Sequence, residues 1–184
     1  AGDPRLRLLT FTGGVETGLR ITQRAGIKKL CMELGSNSPV IVMPDADLDR
    51  AVPAIAAGAF AQAGQNCLGV QRVFILSDAY EAFRDRFVAH ASGLRAGSSM
   101  DETTDVCAMI TDGQAERVAR WVGEAVQGGA RLLTGGRREG AVLWPTVLES
   151  VPAGSRVDCD EVYGPVVSLY RVQTLDEAIT SANR

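Results

Sequence analysis

A cysteine and a distant glutamate are the residues of this sequence best suited to chemistry. Cys67 lies in the string AGQNCLGVQRV, and Glu33 lies thirty-four residues earlier in CMELGSNSP. A thiol can attack an electrophilic carbon, and a carboxylate can act as a base. Each residue alone is ambiguous, because an isolated cysteine is usually a small buried hydrophobe and an isolated glutamate is usually solvated. Together, in these strings, they predict a nucleophile and a carboxylate that share a cleft.

The composition is that of an ordinary globular chain. Its 184 residues are 46% hydrophobic and 22% charged, with a formal net charge of −3, and a chain of this length can bury a core without disulfides. The 19 basic residues are dispersed among 22 acidic ones, which argues against nucleic acid or an anionic membrane as a partner. The longest apolar run, within AVPAIAAGAFAQA, contains Pro53 and is too short to span a bilayer.

The other cysteines and the single histidine carry no chemical pattern. No two of Cys31, Cys67, Cys107 and Cys159 lie within four residues, and His90 belongs to a different segment, so no metal site is predicted. The chain opens without a signal sequence, and widely spaced cysteines are typical of a reducing compartment, which together predict a cytoplasmic location. Apart from Cys67, the cysteines are expected to be inert buried groups, and His90 is expected on a helix surface.

Apolar runs rich in β-branched residues alternate with helical periodicity, which predicts an α/β fold with parallel strands joined by crossover helices. Strands are predicted over 8–12, 28–34, 39–43 and 71–76, and in ARLLTGG, PTVLESV and PVVSLYRV. Helices are predicted in ETGLRITQRAG, from Leu48 to about Ala63 with a kink at Pro53, through Tyr80 to Ala91, from Thr111 to Gly128, and from Thr174 still running at Arg184. Cys67 therefore falls on a connection, where functional groups are commonly held.

Four strings, in this order, resemble the aldehyde dehydrogenase superfamily of NAD(P)-dependent enzymes. They are FTGGVETG, ELGSNSPVIVMPDADLDRA, GQNC and DEVYGPVVS, and they extend over most of the chain. The resemblance implies a three-layer αβα domain with a mostly parallel open sheet. It implies that residues 1–33 are the terminal strand, helix and strand of a cofactor-binding domain, and that residues 34–184 are a catalytic domain truncated at its C-terminus. A homo-oligomer, dimer or tetramer, is implied for the full-length form.

The resemblance also implies a role for each matching residue. Cys67 is the implied nucleophile and Glu33 the implied general base, which a raised pKa through partial burial would favour. The implied contacts to NAD or NADP come from Gly13, Gly14, Gly18, Leu34, Glu161 and Tyr163, with Glu161 on the nicotinamide-side ribose and Tyr163 beside the nicotinamide. The plain alternatives are an ordinary turn at 13–18, a loop carboxylate and a core aromatic.

The expected reaction is oxidation of an aldehyde to a carboxylic acid through a thiohemiacetal and a thioester on the cysteine. A coenzyme-A-acylating or semialdehyde dehydrogenase relative is the first alternative, although the glutamate favours water as the acyl acceptor. A noncatalytic folding or interaction module is the second alternative for this chain. A cysteine hydrolase would need His90 as its base, and nothing in the sequence places that residue near Cys67. Gly14 and Ser36 depart from the family pattern, in which serine and glycine are common there.

Overall fold

A computed structural model describes residues 1–184, and the chain divides into two units, Ala1–Ser36 and Asn37–Arg184. The first unit contains β1 (Leu8–Thr12), α1 (Val15–Ala25) and β2 (Lys29–Glu33). The two strands pair in parallel, with Leu8 opposite Lys29 and Thr12 opposite Glu33. This is the strand, helix and strand that periodicity predicted. The role of each unit stays a prediction.

The second unit is built on a five-stranded open sheet. Its strands are β3 (Ser38–Val42), β4 (Val70–Leu76), β5 (Arg131–Thr134), β8 (Thr146–Glu149) and β9 (Val166–Val172), and β6 (Arg138–Glu139) and β7 (Val142–Leu143) form a separate small pair. The spatial order is β3-β4-β9-β8-β5, in which β3, β4, β9 and β8 run parallel and β5 runs antiparallel to β8. The predicted mostly parallel open sheet is confirmed.

Five helices complete the second unit, and most begin where a side chain caps the first turn. They are α2 (Leu48–Phe60), α3 (Ser77–Gly93), α4 (Asp112–Gln127), α5 (Arg156–Cys159) and α6 (Leu175–Ala182). Asp47, Thr111 and Thr174 each accept hydrogen bonds from first-turn amides, of α2, α4 and α6 respectively, which satisfies donors that have no partner within the helix. The predicted helix start at Thr111 is confirmed.

Two helix ends differ from the sequence prediction. The α2 helix ends at Phe60 rather than near Ala63, because residues 61–64 form a short 3₁₀ turn in which Gln62, Ala63 and Gly64 have left-handed backbone angles. The α6 helix ends at Ala182, where Asn183 caps it, rather than running to Arg184. Pro53 lies inside α2. It has no amide hydrogen to donate to the carbonyl of Asp49, so one hydrogen bond of the helix is absent there.

The layers follow from the alternation of side chains along the central strand β4. Val73 and Ile75 pack into the larger core together with residues of α2, α3 and α4. Phe74 and Leu76 point to the other face, where they pack with Ala178 of α6. Successive strand residues face opposite sides of a sheet, so helices cover both faces and the three-layer prediction is confirmed. No helix has the length and apolar character that a membrane span requires.

Candidate active site

Cys67 follows a left-handed turn that ends α2. Gln62, Ala63 and Gly64 have φ values of 55°, 55° and 67°. The left-handed conformation costs an L-residue roughly 1–2 kcal/mol, so two residues in this turn are strained and only the glycine is not. Strained backbone of this kind concentrates at functional sites. The turn redirects the chain into the loop that carries Cys67.

A second loop lies directly against this turn through two glycines. A Cβ atom on Gly64 would lie 2.1 Å from the carbonyl oxygen of Gly164 and 2.6 Å from the nitrogen of Pro165. Gly164 is equally confined, because a Cβ atom on it would lie 2.9 Å from a methyl carbon of Val118, on α4. Only glycine permits this approach of two backbones. The loop that carries Cys67 and the loop over 161–165 are therefore in contact.

Hydrogen bonds hold the Cys67 loop at several points. The side-chain oxygen of Gln65 accepts a hydrogen bond of 2.9 Å from the amide of Ile110. The side-chain oxygen of Asn66 accepts one of 3.0 Å from the amide of Leu68, and its carbonyl accepts one of 2.9 Å from Gly69. An asparagine that bonds to the backbone two residues ahead stabilises a tight turn. Cys67 lies within that turn and is exposed.

The neighbouring loop presents the two predicted cofactor residues of the second unit. Glu161 is half-buried and Tyr163 is 39% exposed, so the alternative of a core aromatic is wrong. Tyr163 has a φ of 48°, an unusual conformation for a bulky residue. Between them, Val162 is buried. Side chains from β4 and α4 bind both of its backbone polar groups.

The first unit gathers the other predicted residues at the carboxyl ends of its two strands. The amide of Gly13 donates a hydrogen bond of 3.0 Å to the carbonyl of Glu33. A Cβ atom on Gly18 would lie 2.6 Å from a methyl carbon of Leu34, so the lack of a side chain there lets α1 pack closely on Leu34. Glu33 itself is exposed, which corrects the expectation of partial burial. Its pairing with Cys67, in the other unit, stays a prediction.

The start of α1 has the features of an anion-binding turn. Gly14 is its N-cap residue and supplies no side-chain hydrogen bond to the first turn, so the amides there have no partner within the helix. Such amides attract phosphate. The acidic residue of this turn, Glu16, is paired with Arg20 at 2.5 Å. The residues present therefore fit a dinucleotide phosphate, although Gly14 offers no hydroxyl to it.

The family model for the aldehyde dehydrogenase family matches residues 1–184. The chain belongs to this family. The match covers both units and the four strings that carry the resemblance.

The chain is similar to named relatives and to solved structures. It is 49% identical over 178 residues to aspartate-semialdehyde dehydrogenase 1 of Pseudomonas canavaninivorans, covering 97% of this chain and 38% of that protein. The crystal structure of aldehyde dehydrogenase 21 from Physcomitrella patens with the reaction product succinate matches with a TM-score of 0.95 and 39% identity, covering 99% and 38% of the two chains. The curated relatives are matched over only 35–40% of their own lengths.

A solved relative with a bound cofactor has the same fold. Glyceraldehyde-3-phosphate dehydrogenase GapN of Methanocaldococcus jannaschii, complexed with NADP, matches with a TM-score of 0.94 and 37% identity. The match covers 98% of this chain and 39% of that chain. The three-layer fold of this aldehyde dehydrogenase segment is thus shared with a chain that binds a nicotinamide cofactor.

The remaining cysteines of this aldehyde dehydrogenase segment differ from expectation. Cys31 and Cys159 are exposed rather than buried, and Cys107 is half-buried against the core. Although Cys159 is exposed, partial desolvation by the atoms around its sulfur, together with the carboxylate of Asp158 3.6 Å away, raises the pKa of its thiol. The exposure of Cys31 follows from its position in β2, along which exposed and half-buried residues alternate. His90 is exposed on α3, as predicted.

Sequence reasoning missed the residues that support the loops of the site. Gln71 and Arg117 bind Val162, and Ile110 binds Gln65. Gln71 offered one signal in the sequence, because it is a polar residue in an otherwise largely apolar strand. Such a residue is informative when it is buried. The Gln71 side chain is 5% exposed. Arg117 offered none, since arginine is common on helix surfaces.

Proposed function

We propose that the complete gene product oxidises an aldehyde to a carboxylic acid with NAD or NADP, through a thioester on Cys67. One observation carries this proposal: an exposed cysteine lies on a strained loop that contacts the loop of Glu161 and Tyr163. The whole activity is a proposal because the chain spans 35–40% of the curated relatives' lengths. Membership of the aldehyde dehydrogenase family supports it.

The cofactor-holding residues are proposed in both units. The uncapped first turn of α1, after Gly13 and Gly14, would bind the phosphates. Gly18 and Leu34 pack beside that turn. Glu161 would accept hydrogen bonds from ribose hydroxyls, and the exposed ring of Tyr163 would lie beside the nicotinamide. Bound NAD or NADP would supply the hydride acceptor for the reaction.

The chain's own groups would make and break the bonds to carbon. The Cys67 thiolate forms a bond to the aldehyde carbon, and the carbonyl π electrons move to oxygen. The backbone amide of Cys67 is proposed to stabilise that oxyanion. After oxidation, water attacks the thioester carbon while Glu33 accepts the proton from the water. The carbon–sulfur bond then breaks, and Cys67 leaves as a thiolate.

A semialdehyde substrate is the second candidate, favoured by the similarity to an aspartate-semialdehyde dehydrogenase. The acyl acceptor is a separate question. Transfer of the acyl group to coenzyme A instead of water would make Glu33 unnecessary as a base. Product analysis with and without coenzyme A distinguishes the two acceptors, since only transfer to coenzyme A yields a thioester product. A homo-oligomer is proposed from the family resemblance, and a cytoplasmic location from the widely spaced cysteines. A chain that acts only as a folding or interaction module would form no NADH with any aldehyde.

Replacement of the nucleophile tests the proposal most directly. Cys67→Ala should abolish NADH formation from an aldehyde panel, because no other group then forms the thioester. Cys107→Ala is the matched control and should retain activity, since Cys107 is half-buried against the core rather than exposed on the loop. Absorbance of NADH is the measurement. Equal rates in Cys67→Ala and wild type would overturn the proposal.

Replacement of Glu33 separates acylation from deacylation. Glu33→Gln keeps the size of the side chain but removes the base, so thioester hydrolysis should slow by about a hundredfold or more. Stopped-flow absorbance should then show a rapid burst of NADH, close to the number of active sites, followed by a weak steady rate. If Glu33 also deprotonates Cys67, the burst itself slows and higher pH partly restores it. Unchanged burst and steady rates would exclude a catalytic role for Glu33.

A further inference from the structure

Val162 is bound by a side chain at each of its two backbone polar groups. Its amide donates a hydrogen bond of 2.7 Å to the side-chain oxygen of Gln71, which lies on β4 and is 5% exposed. Its carbonyl accepts a hydrogen bond of 2.7 Å from a terminal guanidinium nitrogen of Arg117, on α4. Side chains from two different elements therefore hold one residue of a loop.

Arg117 is itself held in one orientation. Its Nε donates a hydrogen bond of 2.8 Å to the side-chain oxygen of Gln114. Its guanidinium lies 4.5 Å from the ring centroid of Trp121, and that of Arg156 lies 5.3 Å from the same centroid. A planar guanidinium that is stacked and hydrogen-bonded loses little further freedom when it binds another group. The donor to Val162 is thus preorganised.

The residues on each side of Val162 are the ones that the proposed function assigns to the cofactor. Tyr163 has a φ of 48°, which the loop must maintain against its intrinsic preference. Burial and the neighbouring Arg120 lower the pKa of the Arg117 guanidinium, and the nearby carboxylate of Glu161 partly offsets this effect. With both polar groups of Val162 bound, the backbone between Glu161 and Tyr163 cannot rotate without breaking a buried hydrogen bond.

We propose that Gln71 and Arg117 are positioning residues: they hold the backbone at Val162 so that Glu161 and Tyr163 face the nicotinamide side of the cofactor. This inference rests on the proposed function for its cofactor part. Its structural part is the pair of hydrogen bonds that join Gln71 and Arg117 to Val162, here called the clamp on Val162. The clamp requires no cofactor. The two parts are tested by separate measurements.

Amide hydrogen exchange of the chain without cofactor tests the clamp. In Arg117→Leu and Gln71→Leu, amides 161–164 should exchange about tenfold or more faster, because a buried polar group loses its partner. Gln71→Glu keeps an acceptor and Arg117→Lys keeps a donor, so each should restore part of the protection. Arg120→Leu, a change at an exposed arginine of the same helix, should leave exchange at 161–164 unchanged. Unchanged exchange in both leucine variants would overturn the proposal, with or without an active enzyme.

Kinetics of the complete gene product test the positioning role. In the leucine variants, KM for NAD or NADP should rise about tenfold while the rate of Cys67 alkylation by iodoacetamide stays within about twofold, because the reactive loop has its own hydrogen bonds. Faster exchange at 161–164 with unchanged KM and kcat would overturn the positioning role. A wild-type protein that forms no NADH would instead refute the proposed function, and the exchange result would still decide the clamp. Melting temperatures identify a leucine variant that fails to fold. The test then relies on the other leucine variant.

Discussion

At the scale of single residues, exposure alone does not decide which thiol reacts. Cys67 and Cys159 are both exposed. Partial desolvation of the Cys159 sulfur, together with the charge of the Asp158 carboxylate beside it, raises the pKa of that thiol. The thiolate is the nucleophile, so Cys159 remains mostly protonated over a wider pH range than an ordinary cysteine. We therefore expect Cys67 to react before Cys159.

Iodoacetamide labelling with peptide mapping checks this order. Cys67 should be alkylated first near neutral pH. Labelling of Cys159 should increase only at pH values above the ordinary cysteine pKa of about 8.5, since the raised pKa delays thiolate formation. Asp158→Asn removes the negative charge and should shift the labelling profile of Cys159 to lower pH. Faster labelling of Cys159 than Cys67 in the wild type would contradict the assignment of Cys67 as the nucleophile.

At the scale of elements, the contact between Gly64 and Gly164 joins two loops that precede the neighbouring parallel strands β4 and β9. Strand pairing fixes where each loop ends, and the two glycines allow the loops to meet. The site thus depends on backbone contact as well as on side chains. A side chain at Gly64 has no space, because the nearest atoms belong to backbone that the sheet holds in place.

Gly64→Ala should destabilise the protein by more than about 3 kcal/mol, since the left-handed backbone and the overlap with Gly164 both oppose it. Gly123→Ala is the matched control. Gly123 lies within α4, and an added methyl group there would meet no neighbouring atom within 4 Å, so alanine should stabilise by roughly 0.5–1 kcal/mol. Urea unfolding followed by tryptophan fluorescence measures both. A loss below about 1 kcal/mol in Gly64→Ala, on the same scale, would show that the loops can separate.

The elements themselves were predictable because their signals are local. Periodic apolar residues predicted α3 and α4, and β-branched runs predicted β4 and β9. The left-handed turn at 62–64 was not predicted, since Gln62 and Ala63 are ordinary helix residues and only packing forces their conformation. The clamp on Val162 was not predicted either, because Gln71 and Arg117 reach it across 91 and 45 residues of sequence. The family resemblance supplied site residues but not these supports.

At the scale of the whole molecule, the two units differ in how well each buries its own core. The first unit has a two-stranded sheet and exposes Leu8, Leu19 and Ile27. A two-stranded sheet is marginally stable by itself. The second unit has a five-stranded sheet with helices on both faces and a large apolar core. We expect the second unit to account for most of the stability of the chain.

Hydrogen exchange of the chain should therefore show two levels of protection. Amides of β1 and β2 should exchange at least about a hundredfold faster than those of β4 and β9, because the free energy of local opening follows buried apolar contact. Mass spectrometry of exchanged peptides measures this difference. Leu19→Lys, at an exposed position of α1, is the control and should not change protection in β4. Equal protection of all four strands would contradict the expectation of unequal stability.

The contact between Gly64 and Gly164 also has a consequence during synthesis. The two glycines are 100 positions apart in the sequence, so at ribosomal rates of about 5–20 residues per second the first loop exists for roughly 5–20 seconds before its partner has been translated. During that interval β4 also lacks β9, its parallel neighbour. The nascent chain thus carries the Cys67 thiol before the backbone around it has its final restraint. Slow synthesis would lengthen the period in which that sulfur is open to oxidants and to other nascent thiols.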